Sequence, residues 1–257
     1  MNILSDTVIL TKDSIESIDF YYDFLAFLRR LNNNPIKRTL TGNISLKNIE
    51  LLLKELKTTK DNIKEHKKYG WKIHTEQELQ TLEQIKILAE VMRLTYKKKN
   101  KLFISKNGRK FLRELNPSQQ YKQMILYYWY RVNWDYFSAM QSIKGTTLNN
   151  ILQDNQNKIW HTLFCKNTQW IDYKKFCLAL RDYFHLEPFL QDPVLDPDWI
   201  LFSDIKYTLF KKNLLLFNCV QIQQKPAKFD EQIEIIRFRS TQVGLYLYQK
   251  ALYENFL

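Results

Sequence analysis

Apolar residues recur three and four positions apart in several long segments, which is the spacing of an amphipathic helix. The pattern predicts helices over residues 14–31, ending before the breaker NNNP, and over 45–56, with Ser45 as the cap. A further helix is predicted over about 75–94, and its inward residues are Leu79, Leu82, Ile85, Leu88 and Met92. Five glycines and six prolines in 257 residues agree with a helix-rich chain.

The period changes after the third helix. Residues 94–96 and 102–104 are predicted as two strands joined by a basic turn, and Ser105 then caps the helix SKNGRKFLREL. Residues 39–41 are predicted as a short strand, Gly42 and Asn43 as a turn, and 57–71 as a polar, basic loop. This order of elements is typical of a winged helix, a helix-turn-helix followed by a β-hairpin wing.

The second half repeats this order. Helices are predicted over 158–165, 173–184 and about 199–215, a strand over 170–172, a Pro/Asp loop over 187–198, and hairpin arms over 217–223 and 233–238. The segment TQVGLYL after the second hairpin matches SKNGRKF after the first. The predicted fold class is mainly α with short β-hairpins (α+β), as tandem winged-helix units. The first unit, with its basic wing, spans 1–117, a connecting aromatic helix spans 118–145, and the second unit spans 146–257.

The segments FLAFLRRLNNNPIKRTLTGNISLKNIELLLKEL and KKNKLFISKNGRKFLRELNPSQQYKQMILYYWYRVNW resemble the helicase-associated winged-helix proteins, relatives of the amino-terminal domains of XPB-type helicases. The likeness is fainter in TQWIDYKKFCLALRDYF and IIRFRSTQVGLYLY. It covers most of residues 20–250 and rests on structural motifs only. It implies a module that contacts nucleic acid or docks onto a larger machine, with no active-site residues.

Positive charge is concentrated in the first half of this basic chain. The formal net charge is +12; residues 1–116 hold 23 Lys/Arg against 14 Asp/Glu, and residues 117–257 hold 16 against 13. Residues 93–113 contain nine basic residues and no acidic one. This asymmetry indicates a polyanionic partner for the first half, while lysines that only keep an aromatic-rich protein soluble remain the alternative.

The predicted wing is the candidate nucleic-acid site. Its residues are the turn lysines Lys97, Lys98, Lys99 and Lys101 with Lys106, Arg109 and Lys110 just after it. Such clusters bind phosphates without reading base sequence. Residues 57–72 are a second basic candidate, and a merely solvated lysine-rich turn is the competing interpretation. The helix before the wing is predicted to expose an acidic face, which argues against groove recognition, at Glu76, Gln80, Glu83, Gln84, Lys86 and Glu90.

Other candidate chemistry favours structural interpretations. No phosphate-binding GxxxxGK[ST] loop occurs, so a helicase motor is not predicted. His161 and Cys165 are expected to be a buried pair on a core helix, and Cys165, Cys177 and Cys219 to be inert thiols. The Asp192, Asp196 and Asp198 cluster is expected to be a surface turn, and the aromatic residues of 127–137 to pack at a junction between units. No catalytic residue, cofactor or metal is predicted.

The sequence therefore predicts a non-catalytic accessory protein that contacts duplex DNA non-specifically through the first wing and acts with a helicase or other DNA-processing protein. A protein–protein scaffold subunit of a DNA-processing or defence complex is the alternative, and a specific transcription regulator is favoured less. Dispersed cysteines, no signal peptide and no long apolar run predict a cytoplasmic protein without membrane contact. The second unit is expected to bind protein, with its terminal helix either docking a partner or closing its own core.

Overall fold

A computed structural model describes residues 10–70, 72–137, 142–226 and 233–253. Helix accounts for 62% and strand for 13%, with two small three-stranded antiparallel sheets, so the predicted mainly helical α+β class is confirmed. The chain divides into two compact units, Thr11–Val132 and the residues from Asn133 onward. The sequence had placed unit boundaries at 117 and 145.

The first unit begins with four helices and one short strand: α1 (Lys12–Glu16), α2 (Asp19–Asn33), β1 (Ile36–Lys37), α3 (Leu46–Glu55) and α4 (Thr59–Lys68). A 3₁₀ turn (Glu76–Glu78) leads into α5 (Gln80–Val91), the hairpin β2 (Thr95–Lys98) and β3 (Lys101–Ile104), α6 (Lys106–Glu114) and α7 (Pro117–Tyr130). The five residues predicted to face inward from α5 and its ends are all buried, as expected: Leu79, Leu82, Ile85, Leu88 and Met92.

The helix predicted over residues 14–31 is in fact two helices. The backbone N–H of Ser17 donates to the carbonyls of Asp13 and Ile15, and Ile18 is extended, which ends α1 before α2 begins. The Ser17 hydroxyl also donates to the Ser14 carbonyl at 2.8 Å. Hydroxyl side chains that bond nearby carbonyls compete with helix continuation, and this accounts for the break.

Two other local predictions are wrong. The short strand lies at Ile36–Lys37, before residues 39–43, which form a turn closed by the Thr39 N–H donating to the Asn43 carbonyl at 2.7 Å. The predicted loop 57–71 contains α4. Its start is held by the buried Asp23 carboxylate of α2, which accepts the backbone N–H groups of Lys57 (2.6 Å) and Thr58 (2.9 Å). That cap comes from a residue more than thirty positions away, so the local pattern does not reveal it.

The second unit begins with a 3₁₀ turn (Trp134–Phe137), α8 (Leu148–Asp154), α9 (Gln156–Cys165), β4 (Ile171–Asp172) and α10 (Tyr173–Phe184). It continues with a 3₁₀ turn (Glu187–Leu190), α11 (Pro197–Ile205), a π-helix (Lys206–Leu214), β5 (Val220–Pro226), β6 (Ile233–Ser240) and α12 (Gln242–Tyr253). Most of the predicted hairpin tip KPAKFDE lies outside the described residues. The Tyr248 ring is fully buried and stacks on Trp160 at 5.6 Å, so α12 closes the core of its own unit.

Both units join their strands in the same order. The sheets run β1-β3-β2 and β4-β6-β5, each antiparallel throughout. After each hairpin a hydroxyl caps the next helix, as predicted: Ser105 Oγ accepts the Gly108 N–H and Thr241 Oγ1 accepts the Gly244 N–H, both at 3.0 Å. The same hydroxyls donate back to the chain before the hairpin, to the carbonyls of Arg93 (2.8 Å) and Asn218 (2.6 Å).

The helix ends before the two hairpins also match. Arg93 and Asn218 are left-handed, with φ of 55° and 49°. The next residue in each case donates its N–H five positions back, Leu94 to Ala89 at 2.9 Å and Cys219 to Leu214 at 2.7 Å. These bonds satisfy the last carbonyls of each helix in a Schellman arrangement. The two halves therefore share hydrogen bonding as well as element order.

Candidate nucleic-acid interface

Three lysines form a row across the sheet of the first unit. In the register of the strands, Lys98 of β2 lies directly opposite Lys101 of β3, and Lys101 lies directly opposite Lys37 of β1. All three residues are exposed. We call Lys37, Lys98 and Lys101 the lysine row.

Strand alternation sets the direction of the lysine row. Leu102 and Ile104 of β3 are buried, and Lys101 is the strand residue directly before Leu102, so by alternation it lies on the opposite, solvent face. Among the described residues, no ion pair within 4.0 Å includes a member of the row. Like charges directly opposite each other destabilise a sheet. The row is therefore a concentrated, uncompensated positive surface.

An aromatic pair continues this face away from the turn. Tyr96 and Phe103 lie directly opposite each other, and their rings stack at 5.3 Å between centroids with an interplanar angle of 15°. Because alternate strand residues share a face, Tyr96 lies beside Lys98 and Phe103 beside Lys101. The Tyr96 side chain is 46% exposed. The outer face of the first hairpin thus combines cations with a planar apolar surface.

The predicted turn lysines do not all share this surface. Lys97 lies opposite the buried Leu102, and its Nζ is 2.9 Å from a carboxylate oxygen of Glu90 on α5. Lys99 occupies the two-residue turn with Asn100 and has a left-handed φ of 51°. The structure separates Lys97, which is neutralised within the fold, from Lys98, Lys99 and Lys101.

The predicted residues after the hairpin lie on α6. Lys106, Arg109 and Lys110 are exposed, and helical spacing adds the exposed Arg113 to the same side. Arg109 also donates to the Ile104 carbonyl at 3.3 Å, which ties its guanidinium to the end of β3. Sequence reasoning named neither Lys37 nor Arg113 as a site residue. The spacing of seven residues between Lys106 and Arg113 predicts that they share a helix face. Placing Lys37 in the site requires the correct position and register of β1.

The residues of the acidic face predicted for the helix before the first hairpin are all at least partly buried. Glu76 and Gln84 are buried, and Gln80, Glu83, Lys86 and Glu90 are partly buried. Glu76 accepts the Ile44 backbone N–H at 2.8 Å and pairs with Lys86, while Gln84 donates to the Tyr128 hydroxyl at 2.7 Å. These groups hold α5 in the unit. Hydrogen bonds and an ion pair to other parts of the unit therefore bury polar residues that the helical pattern alone assigns to solvent.

Lys57, at the start of the basic segment 57–72, is used within the fold. Lys57 Nζ lies 3.7 Å from a carboxylate oxygen of Asp19 and 4.1 Å from the ring centroid of Tyr22. Its charge is therefore partly compensated by α2, unlike the charges of the lysine row.

The aromatic residues of 127–137 are largely core. Tyr128 and Trp129 are buried in the first unit, and Trp134 packs on Trp160 in the second at 6.5 Å between centroids. Tyr127 and Tyr136 are exposed, at 40% and 66%. The burial of Tyr128, Trp129 and Trp134 agrees with the expected packing role, and their packing at a junction between units stays a prediction.

The cysteines differ in environment. The Sγ of Cys165 lies 3.8 Å from Nδ1 and 3.7 Å from Nε2 of His161 on α9. Both residues are exposed, so the prediction of a buried pair is wrong. They project from the side of α9 opposite the buried Leu163. Cys177 and Cys219 are buried, as predicted. Burial raises the pKa of the Cys177 thiol to about 12 and holds the pKa of Cys219 well above its usual value. These two thiols are inert at neutral pH because the thiolate is the reactive form.

The three aspartates near α11 each have a separate local role, as expected of a surface turn. Asp192 accepts the N–H groups of Val194 (2.8 Å) and Leu195 (2.9 Å), and these bonds lower its pKa. Asp196 caps α11, and Asp198 pairs with Arg181 at 3.0 Å.

Within the described ranges, no group of three or more His, Cys, Asp or Glu side chains is placed to hold a metal ion. In the same part of the chain, no helix combines the length and apolarity needed to cross a membrane. Comparison with protein-family models, with curated proteins and with solved structures finds no match for this chain.

Proposed function

We propose that the chain is a non-catalytic nucleic-acid-binding protein that contacts the backbone of duplex DNA through the outer face of its first hairpin. The observation that carries this proposal is the lysine row, in which three exposed lysines lie opposite one another across one sheet and have no ion pair with any described acidic residue. A phosphate backbone offers a line of negative charge to such a row, and its neutralisation releases counterions. Lysine suits this contact because it acts as a point charge without base readout.

The proposal includes a tandem winged-helix architecture. Each unit places a helix, a short strand, further helices and a hairpin in the same chain order, and each hairpin is followed by a hydroxyl-capped helix. In the winged-helix motif the hairpin is the wing that lies against the DNA backbone. The resemblance to helicase-associated winged-helix proteins supports the same assignment, with a helicase or other DNA-processing protein as the partner.

The test is the affinity of the full chain for a short labelled duplex over a range of salt concentrations. With three to five phosphates neutralised, the slope of log affinity on log salt is expected to be about −3 to −4.5. Replacing Lys37, Lys98 and Lys101 together by Gln is expected to reduce the magnitude of that slope by roughly 2 to 3. The matched control replaces Lys12, Lys47 and Lys54, exposed lysines elsewhere in the same unit, by Gln.

The two triple variants remove the same net charge, so they separate the lysine row from overall electrostatics. Equal losses in both variants, or a wild-type affinity that does not depend on salt, would refute the proposed contact. Equal affinity for unrelated duplexes is expected, and a strong preference for one sequence would favour a specific transcription regulator instead.

One observation favours a protein–protein scaffold as the second candidate. An apolar groove lies between α9 and α10, lined by Ile159, Phe176, Leu180 and Phe184, and the neighbouring Tyr183 is 63% exposed. Grooves of this kind accept apolar side chains of a partner. A partner that stays bound to the chain after nuclease treatment, and is released by Tyr183→Glu at the exposed edge of the groove, would support this function.

A further inference from the structure

A second cationic cluster lies on the sheet of the second unit. The guanidinium carbons of Arg237 and Arg239 lie 4.8 and 4.7 Å from the centroid of the same ring, that of Trp170. The two arginines are alternate residues of β6, and the residue between them, Phe238, is fully buried. Both guanidinium groups therefore lie on the outer face of the sheet, where Trp170 is 37% exposed.

Hydrogen bonds fix both guanidinium groups from the neighbouring strand. The Nε–H of Arg237 donates to Gln223 Oε1 at 2.5 Å, and that of Arg239 donates to Gln221 Oε1 at 3.0 Å. An arginine has five N–H donors, so each side chain keeps four donors on its terminal nitrogens. Stacking on Trp170 and the hydrogen bonds to the glutamines hold each planar guanidinium group in place before any ligand binds. This lowers the entropy cost of binding an anion.

The acidic side chains near the cluster bond to groups other than the two arginines. Asp172 lies opposite Arg237 in the strand register, but its carboxylate caps α10 by accepting the Lys175 N–H at 2.9 Å. Glu234 pairs with Lys174 at 3.2 Å and Lys225 at 3.3 Å. Among the described residues, neither arginine of the cluster has a carboxylate within 4.0 Å.

Arg237 occupies the position in its sheet that Lys101 occupies in the first unit, with Asp172 and Gln223 opposite it where Lys37 and Lys98 stand opposite Lys101. Arg237 lies four residues before the capping Thr241, as Lys101 lies four before Ser105. Both residues pair with the short first strand of their sheet, on the face away from the core. The same surface is thus cationic in both halves, although the second half carries little net charge.

We propose that Arg237, Arg239 and Trp170 form a second nucleic-acid site, which takes neighbouring phosphates of a DNA backbone on two preorganised guanidinium groups. Both guanidinium carbons lie within 4.8 Å of one ring centroid, so the two groups can each contact a phosphate of the same DNA strand. Guanidinium binds phosphate oxygens through paired N–H groups, and the terminal nitrogens of each side chain carry four such N–H donors. This site adds a nucleic-acid contact to the second unit, whose expected binding of protein stays a prediction.

The experiment measures binding of a short labelled duplex by the full chain over a salt series. Arg237→Gln with Arg239→Gln is expected to weaken binding about tenfold or more at low salt and to reduce the slope magnitude by about 2. Arg237→Lys with Arg239→Lys is expected to keep the slope but lose affinity, because lysine keeps the charge without the planar fork. Lys166→Gln with Lys175→Gln, two exposed lysines of the same unit, is the charge-matched control.

A loss no greater than that of the lysine control, in variants with unchanged melting temperature, would overturn the proposal. Inorganic phosphate at matched ionic strength should not displace the duplex more than chloride does; selective displacement would assign the cluster to the free ion. Polyglutamate that binds the cluster as well as the duplex does would assign it to acidic proteins. This site is tested independently of the lysine row. If the arginine variant weakens binding and the Lys37, Lys98 and Lys101 variant does not, the proposed contact through the first hairpin fails. If only the lysine variant weakens binding, the arginine site fails.

Discussion

Single residues in this chain carry local energetic costs that can be measured. Asp204 of α11 is largely withdrawn from solvent, and burial raises its pKa from 3.8 to about 6. Lys99 holds a left-handed backbone that lysine rarely adopts. The first cost depends on pH and the second does not, so the two are separable.

Asp204→Asn is expected to stabilise the protein at neutral pH. Below pH 3.8 the carboxyl is protonated in both the folded and unfolded states, so the substitution has little effect there. As pH rises from 3.8 to about 6, the folded state retains a proton that the unfolded state releases, and wild-type stability falls. Above that range the advantage of Asp204→Asn is constant, on the order of 1–2 kcal/mol once solvent screening of this partly exposed carboxyl is allowed for. Denaturant unfolding over this pH range provides the measurement.

Asp192→Asn is the control for this pH profile, because the pKa of Asp192 is lowered by backbone hydrogen bonds. Its wild-type stability contribution is present above the unfolded pKa and is lost as pH falls, so the variant should show the opposite pH trend. A stability difference for Asp204→Asn that does not change with pH would contradict the buried-carboxyl explanation.

Lys99→Gly is expected to raise stability while weakening DNA binding. Glycine adopts positive φ without a Cβ penalty, so the gain is roughly 0.5–1 kcal/mol. Lys98→Gly removes the same charge from an extended strand position and should instead lower stability. Thermal unfolding and duplex affinity measure the two effects. If both variants change stability in the same direction, the left-handed turn is not a source of strain.

At the scale of elements, each unit depends on a close approach between the helix after its hairpin and the residue just before the first strand of that hairpin. A Cβ on Gly108 would lie 2.3 Å from the Leu94 carbonyl oxygen, and one on Gly244 would lie 2.0 Å from that of Cys219. These carbonyls accept the N–H groups of Ser105 and Thr241. The glycines let each capped helix start directly against the chain that enters the hairpin.

Gly108→Ala and Gly244→Ala are therefore each expected to destabilise their unit by about 1–3 kcal/mol, because the neighbouring atoms are backbone and cannot move aside cheaply. The controls are Asn107→Ala and Gln242→Ala, exposed positions one or two residues away on the same helices. Denaturant unfolding measures both pairs. A stability for either glycine variant equal to that of its control would show that the close approach relaxes at no cost.

At the scale of the whole molecule, the two units have separate cores, and the three cysteines all belong to the second. Cys165 is exposed, whereas Cys177 and Cys219 are buried. Thiol labelling therefore reports on opening of the second unit only, with Cys165 as an internal standard.

We expect Gly244→Ala to accelerate labelling of Cys177 and Cys219 and Gly108→Ala to leave it unchanged, because each variant loosens only its own core. The measurement is mass-resolved labelling under native conditions, in which Cys165 should react at once in every variant. Equal acceleration by both variants would show that the chain unfolds as one cooperative unit.

Local signals predicted much of the helical framework. The inward face of α5, the first hairpin, the span of α10 and the two hydroxyl caps follow from periodicity and from hydroxyl residues placed three positions before a glycine. The prediction failed where a distant residue decides local structure. Asp23 stabilises the start of α4 from α2, and Ile44 and Lys86 draw Glu76 into the interior.

The sequence by itself determined the helical class, the repeated hairpin-and-capped-helix pattern and the excess of lysine around the first hairpin, because those properties depend on neighbours along the chain. The tertiary structure alone decided which cations lie together. Strand register aligns Lys37 with Lys101 and Lys98, and it leaves Lys97 to Glu90. It also brings Trp170 to arginines far along the chain. The register between strands is set by the burial of one face of the sheet, which involves residues far apart in the chain. The residues that share the outer face follow from that register.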